Sequence, residues 1–237
     1  MPDTSSIPPS GHFMLPLFIT FTGVDEFTDP TEMMALSSHF PIEWAFLFSP
    51  ERQGKAEHPR YPRLDFVEDL VGSRLRHNRL AAHLCGAAAR SVMQEGKTGY
   101  DALLNAHFMR VQVNTAEPQV EAIAKWARGL SVFPIVQCRG PFPRDPRVHY
   151  LFDTSGGRGV APQSWPGGLD TDCGYAGGIN PGNAAEVVAT IGNSASTYWI
   201  DMESGVRDEN DRFSLKRCRA VCEAVYVDLA RKVGLKK

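Results

Sequence analysis

Eight short apolar segments alternate with stretches of helical spacing along this 237-residue chain, and no other feature constrains its fold as strongly. The segments are 17–21, 43–48, 80–85, 108–114, 131–138, 148–153, 173–176 and 197–201. Runs of this kind suit strands buried on both faces. The helical stretches between them suit parallel pairing, because a parallel strand can be reached only by a long crossover. A strand-to-strand period of about 25 residues at this length is the rhythm of a single (β/α)8 TIM barrel; a doubly wound open sheet is the alternative.

The intervening sequence supports helices with defined ends. Asp29, Pro30 and Glu32 read as an N-cap, a first-turn proline and the far half of a capping box. Further helices are expected over 64–75, from Gly86 onward, over 119–130, from Asn180-Pro181 and over 214–233. After the fifth segment comes RGPFPRDPR, whose prolines leave no room for a regular helix, so the helix after strand 5 is replaced by a loop. The opening MPDTSSIPPSGHF has neither a basic region nor an apolar run. Residues 1–14 are read as a flexible arm and 15–237 as the barrel domain.

Composition narrows the function. A net charge of -2 gives no general attraction to nucleic acid or anionic membrane, and no apolar run approaches a membrane span. The five cysteines, Cys85, Cys138, Cys173, Cys218 and Cys222, lack a Cys-x-x-Cys spacing and read as reduced, mostly buried thiols of a cytoplasmic protein. No metal-ligand cluster is spaced for binding and no cofactor is implied. No lysine ends a strand, which argues against Schiff-base chemistry.

In a barrel the chemistry gathers at the C-terminal ends of the strands. Residues 175–208 hold two Gly-rich turns, Gly177-Gly178 and Ser204-Gly205, separated by a helix. Exposed N–H groups there, beside a helix N-terminus, suit a phosphate. The long loop after the second segment carries Arg52, Arg60 and Arg63, candidates for gripping an anionic group. Asp153 and Asp201 close the sixth and eighth segments. His83 and Cys85 share one face of the third, so that a Cys-His pair is one reading and a packed core histidine the other.

Four stretches, each at a strand end and in order, resemble the phosphoribosylanthranilate isomerase family: AFLFSP at 45–50, FDTSGGRG at 152–159, AGGINPGNAAEV at 176–187 and IDMESGV at 200–206. The similarity spans nearly the whole chain and implies a β/α barrel of tryptophan biosynthesis. Such an enzyme acts on a phosphorylated small molecule, converting an aminoaldose to an aminoketose by general acid/base catalysis. It further implies that the substrate phosphate is held around Gly157, Gly177, Gly178, Ser204 and Gly205, and that Asp153 is the general acid. Asp201 corresponds to a carboxylate near the substrate, and Arg60 or Arg52 to the contact with the anthranilate carboxylate.

Thr22 stands where the family has its general-base cysteine, and an unassisted hydroxyl cannot take a carbon-bound proton. Replacement bases are Cys85, Asp25, Glu26, Asp201 and Glu203, the last in place of a family serine. A non-catalytic phosphate-ester binder, or a lyase or epimerase acting on another phosphosugar, is the alternative.

Overall fold

The eight apolar segments become strands because nearly every residue in them is buried, whichever face it points to. The computed structural model describes residues 13–156, 158–169, 171–195 and 197–235. Its strands are β1 (Ile19–Thr22), β2 (Ile42–Phe48), β3 (Arg79–Leu84), β4 (Arg110–Val113), β5 (Phe133–Cys138), β6 (His149–Phe152), β7 (Cys173–Ala176) and β8 (Tyr198–Met202). Neighbours pair in parallel in chain order and β8 pairs with β1, so the sheet closes into the expected barrel and the open-sheet alternative falls.

The helices are α1 (Pro30–Ser37), α2 (Leu64–Asp69), α3 (Ala87–Glu95), α4 (Asp101–His107), α5 (Val120–Gly129), α6 (Ala184–Ile191) and α7 (Leu215–Cys222). Helix α2 runs into a π-helical turn, Leu70–Arg74, and α7 into a longer one, Glu223–Leu229, with a last α-turn at Ala230–Lys232. Asp29 caps α1 by accepting the Thr31 N–H, and Ser214 caps α7 by accepting that of Arg217. Among the described residues the β5–β6 connection contains no helix, as the prolines require, and neither does β6–β7. No helix among them is long and apolar enough to cross a membrane.

Two helix expectations need correction. Between β3 and β4 there are two helices: Gly96, at φ +66°, ends α3, and Asp101 then accepts the N–H and hydroxyl of Thr98 to start α4. The helix expected from Asn180-Pro181 begins only at Ala184. Asn180 accepts the Gly182 N–H while Asn183 accepts that of Asn180, so side chains hold residues 180–183 in a turn that competes with helix. Of the arm, residues 1–12 lie outside the described residues. Met14 is tied to the barrel, donating to Gly192 O and accepting from the Tyr198 hydroxyl.

The barrel interior divides chemically. Across β1, β2 and β4, the Thr20 hydroxyl and Arg110 Nη1 both donate to Glu43 Oε1, at 2.9 and 3.0 Å, although all three residues are buried. On the other side Phe18, Ile135, Leu151, Ala176 and Trp199 pack into an apolar cluster. Gly174 makes room for it: a Cβ there would lie 2.3 Å from the Trp199 ring.

Asp25, one of the possible bases, is an anchor instead. Buried, it accepts from Arg207 Nη2 at 2.7 Å and from the Phe213 N–H at 2.8 Å, joining the loop after β1 to the chain after β8. It does not line the cavity at the barrel mouth. Asp25→Ala would take away the buried partner of Arg207 and leave it only the half-exposed Asp211, 3.0 Å from Nε, and a loss of about 3 kcal/mol is expected in urea unfolding.

Candidate functional site

Residues at the C-terminal strand ends surround two adjoining cavities of about 240 and 440 Å³, which share Asn114, Gln137 and Glu203. The first lies over β6, β7 and β8. Gly177, Gly178, Ser204 and Gly205, predicted from sequence as a group, all line it; Gly157 lies outside the described residues. Gly177 and Gly178 turn at φ +114° and +65°, which favours glycine. The amides of Asn180 and Asn183 donate to Gly178 O, fixing that peptide, at 3.1 and 2.9 Å. Among the described residues the N–H of Gly178 donates to no backbone or side-chain acceptor, and Ser204 and Gly205 open a 3-10 turn, Ser204–Val206, whose first N–H groups have no partner within the turn. Donors arranged this way around a concavity suit an anion.

The acidic groups are just as specifically placed. Asp201 is buried and accepts from the Thr22 hydroxyl at 2.8 Å. Burial pushes Asp201 up to about 8, with Glu43 and Glu203 adding to the effect and the Thr22 hydrogen bond opposing it. His83 Nε2 lies 3.7 Å from Asp201 Oδ2. Burial, helped by Arg110, brings His83 down to about 3, so near neutral pH the two form a neutral acid beside a neutral imidazole and not an ion pair. Asp153, also buried, accepts the N–H and hydroxyl of Ser155 on Oδ1 at 2.8 and 2.6 Å, and Gln137 Nε2 lies 3.5 Å from Oδ2.

Glu203 directly precedes the Ser204-Gly205 turn, and Arg60 offsets its charge. Arg60 donates to Glu203 Oε1 at 2.5 Å, to both oxygens of Asp211 at 2.7 and 3.0 Å, and to Ser204 Oγ at 3.3 Å. Its guanidinium is thus engaged along both edges. Arg63 points elsewhere, pairing with Asp65 on the surface, while Glu26 accepts the Arg63 N–H. Arg52 lines the second cavity, donates to the Tyr61 hydroxyl at 3.0 Å and enters no ion pair among the described residues.

Cys85 lines that second cavity and His83 the first, so the strand face they share splits between the two. The His83 ring meets Asp201, and Cys85 Sγ accepts from Asn114 at 3.2 Å. Burial raises the Cys85 thiol, keeping it protonated. The polar side chains of Gln112, Asn114 and Gln137 went unnoticed in the sequence. Their signal is a polar residue at an inward strand position where the pattern calls for an apolar one. Among the described residues no group of three His, Cys, Asp or Glu side chains could hold a metal ion.

No family model and no curated protein matches the chain. In three dimensions it is similar to TrpF from Jonesia denitrificans, with a TM-score of 0.63 and 15% identity, covering 89% of this chain and 97% of that one. Phosphoribosyl anthranilate isomerase from Thermus thermophilus gives a TM-score of 0.61 at 18% identity, covering 92% and 99%. Phosphoribosyl anthranilate isomerase in complex with reduced 1-(o-carboxyphenylamino)-1-deoxyribulose 5-phosphate gives 0.59 at 13%, covering 90% and 99%. These likenesses establish that the chain has the fold of those enzymes, a closed barrel of eight parallel strands with β/α connections.

Proposed function

We propose that the barrel binds a phosphorylated sugar and isomerises it from an aminoaldose to an aminoketose. The observation that carries this reading is the meeting, in one cavity, of the glycine turn at Gly177-Gly178 and the opening helical turn at Ser204-Gly205 with two buried carboxyls, Asp153 and Asp201. The phosphate is held by backbone, and the sugar lies across the mouth between the two acids.

Asp153 gives its proton to the ring oxygen as the C1–O bond breaks, and the nitrogen lone pair forms the iminium. Asp201 then removes the C2 proton, whose bonding electrons form the C1–C2 double bond as the iminium π electrons return to nitrogen. Tautomerisation of the resulting enol gives the ketose. Asp201 takes the base role because it is hydrogen-bonded to Thr22, at the place of the missing cysteine, and because its affinity for a proton lies near working pH. An aryl carboxylate would extend into the second cavity, toward Arg52 rather than the fully engaged Arg60.

Turnover of phosphoribosylanthranilate tests this. Activity is expected to rise with pH through about 8 as Asp201 loses its proton. Asp153→Asn is expected to lower kcat by roughly 100-fold or more. Arg52→Ala is expected to raise KM by about tenfold with a smaller effect on kcat. Activity that falls as pH rises through 8 would reverse the roles of the two acids. A second reading, a phosphate-ester binder without catalysis, is favoured by the threonine at position 22; saturable binding of the ester with no turnover at any pH would select it.

A further inference from the structure

We propose that the opposite, N-terminal mouth of the barrel holds a second ligand site, for a small carboxylate carrying an aromatic or apolar group. A cavity of about 220 Å³ lies there, lined by the first residues of four consecutive strands: Arg79 of β3, Arg110 of β4, Phe133 of β5 and His149 of β6. Arg110 is the decisive group. Its side chain is only 5% exposed, and Nη1 donates to Glu43, yet Nε and Nη2 are buried and have no hydrogen-bond partner among the described residues. Those two nitrogens form the side-on edge of the guanidinium, a pair of parallel donors spaced for the two oxygens of one carboxylate. Buried donors left unpaired are costly, so this edge calls for an acceptor.

The surroundings favour a flat apolar body behind that carboxylate. The Arg110 guanidinium sits 3.9 Å from the Trp199 ring and 4.9 Å from that of Phe18. Phe133, although 56% exposed, stacks on the His149 ring at 5.8 Å and 14° and forms an apolar wall at the opening. His149 Nδ1 is likewise buried without a hydrogen-bond partner among the described residues. The charges set the valence of the ligand. Glu43 already pairs with Arg110 and Asp172 also lies on the lining, so what the site offers is the free N–H edge and an aromatic wall rather than surplus charge, and a dianion would meet two carboxylates. A monoanion anchored on the Arg110 edge, with its ring buried against Trp199 and Phe133, fits.

Benzoate titrated into the full chain, followed by tryptophan fluorescence and calorimetry, tests the proposal. Saturable binding at one site is expected. Arg110→Lys keeps a cation for Glu43 but removes the paired donors, and is expected to weaken benzoate by about tenfold or more. Phe133→Ala changes a largely exposed position, carries the test if the buried substitution impairs folding, and is expected to weaken binding at least threefold. Acetate should bind far more weakly than benzoate, and Arg52→Ala, at the other mouth, should leave benzoate affinity unchanged. The proposal is overturned by an absence of saturable binding, by acetate or inorganic phosphate binding as tightly as benzoate, or by loss of binding in Arg52→Ala with Arg110→Lys and Phe133→Ala unaffected.

Discussion

Asp201→Asn is expected to remove nearly all turnover while making the protein more stable. In the unfolded chain this carboxyl ionises near 3.8, whereas in the barrel burial holds its proton up to about 8. Below pH 3.8 both states are protonated and the side chain carries no penalty. As pH rises the unfolded state ionises first, so stability is lost progressively up to about pH 8. At pH 7 the penalty is roughly 4 kcal/mol. Asparagine cannot ionise, and its carbonyl can still accept from the Thr22 hydroxyl, so the variant escapes this cost. His83 works on the other side: brought down to about 3 from 6.5, it takes away stability as pH falls through that interval. Urea unfolding at pH 4 and pH 8 separates the two effects. The advantage of Asp201→Asn should be near zero at pH 4 and largest at pH 8, with kcat down by roughly 100-fold or more. A variant less stable than the parent at pH 8 would contradict the buried, proton-retaining carboxyl.

Gly205→Ala should break the anion cradle. Its Cβ would lie 2.0 Å from the carbonyl oxygen of Ile179, which is backbone and cannot swing aside. The turn after β8 would have to pull away from the turn after β7, separating the N–H groups that the proposed phosphate needs. Overpacking of this kind costs about 1–3 kcal/mol. Affinity for a phosphate ester is expected to fall by about tenfold or more, because several charge-assisted hydrogen bonds depend on the same geometry. Gly129→Ala in α5 is the matching control: nothing lies within 4 Å of its Cβ, and alanine is the better helix former. Calorimetry with a pentose 5-phosphate and thermal unfolding would measure both effects; unaltered ester affinity in Gly205→Ala would place the phosphate elsewhere.

The fold was legible because it rests on local pattern. Continuous apolar runs such as WAFLF at 44–48 in β2 are long enough to mark parallel strands, and the prolines after Cys138 rule out a helix by their own geometry. The strand ends then carried Asp153, Asp201 and the two glycine turns to one mouth without any knowledge of contacts. The late start of α6 was not legible, because propensity places a helix after Pro181 whereas two asparagine side chains hold the turn open.

Long-range charge pairing was also out of reach. Arg60 meets Glu203 and Asp211 across 143 and 151 positions of chain, so a residue that looked free to grip a ligand is already engaged. Glu43 and Arg110 sit within apolar segments, and only the barrel register shows that they face each other inside. The state of Asp201 depends on burial and on groups from several strands, none of which is adjacent in sequence.

Where a substrate phosphate lies decides whether the turns after β7 and β8 form the binding site. A crystal structure of the full chain with reduced 1-(o-carboxyphenylamino)-1-deoxyribulose 5-phosphate would measure that directly. The expected result is a phosphate hydrogen-bonded to the N–H groups of Gly178, Ser204 and Gly205, with the ribulose chain between Asp153 and Asp201 and the aryl carboxylate toward Arg52. A phosphate bound among the arginines of the β2 loop, with the cradle at Gly178 and Gly205 empty, would contradict it.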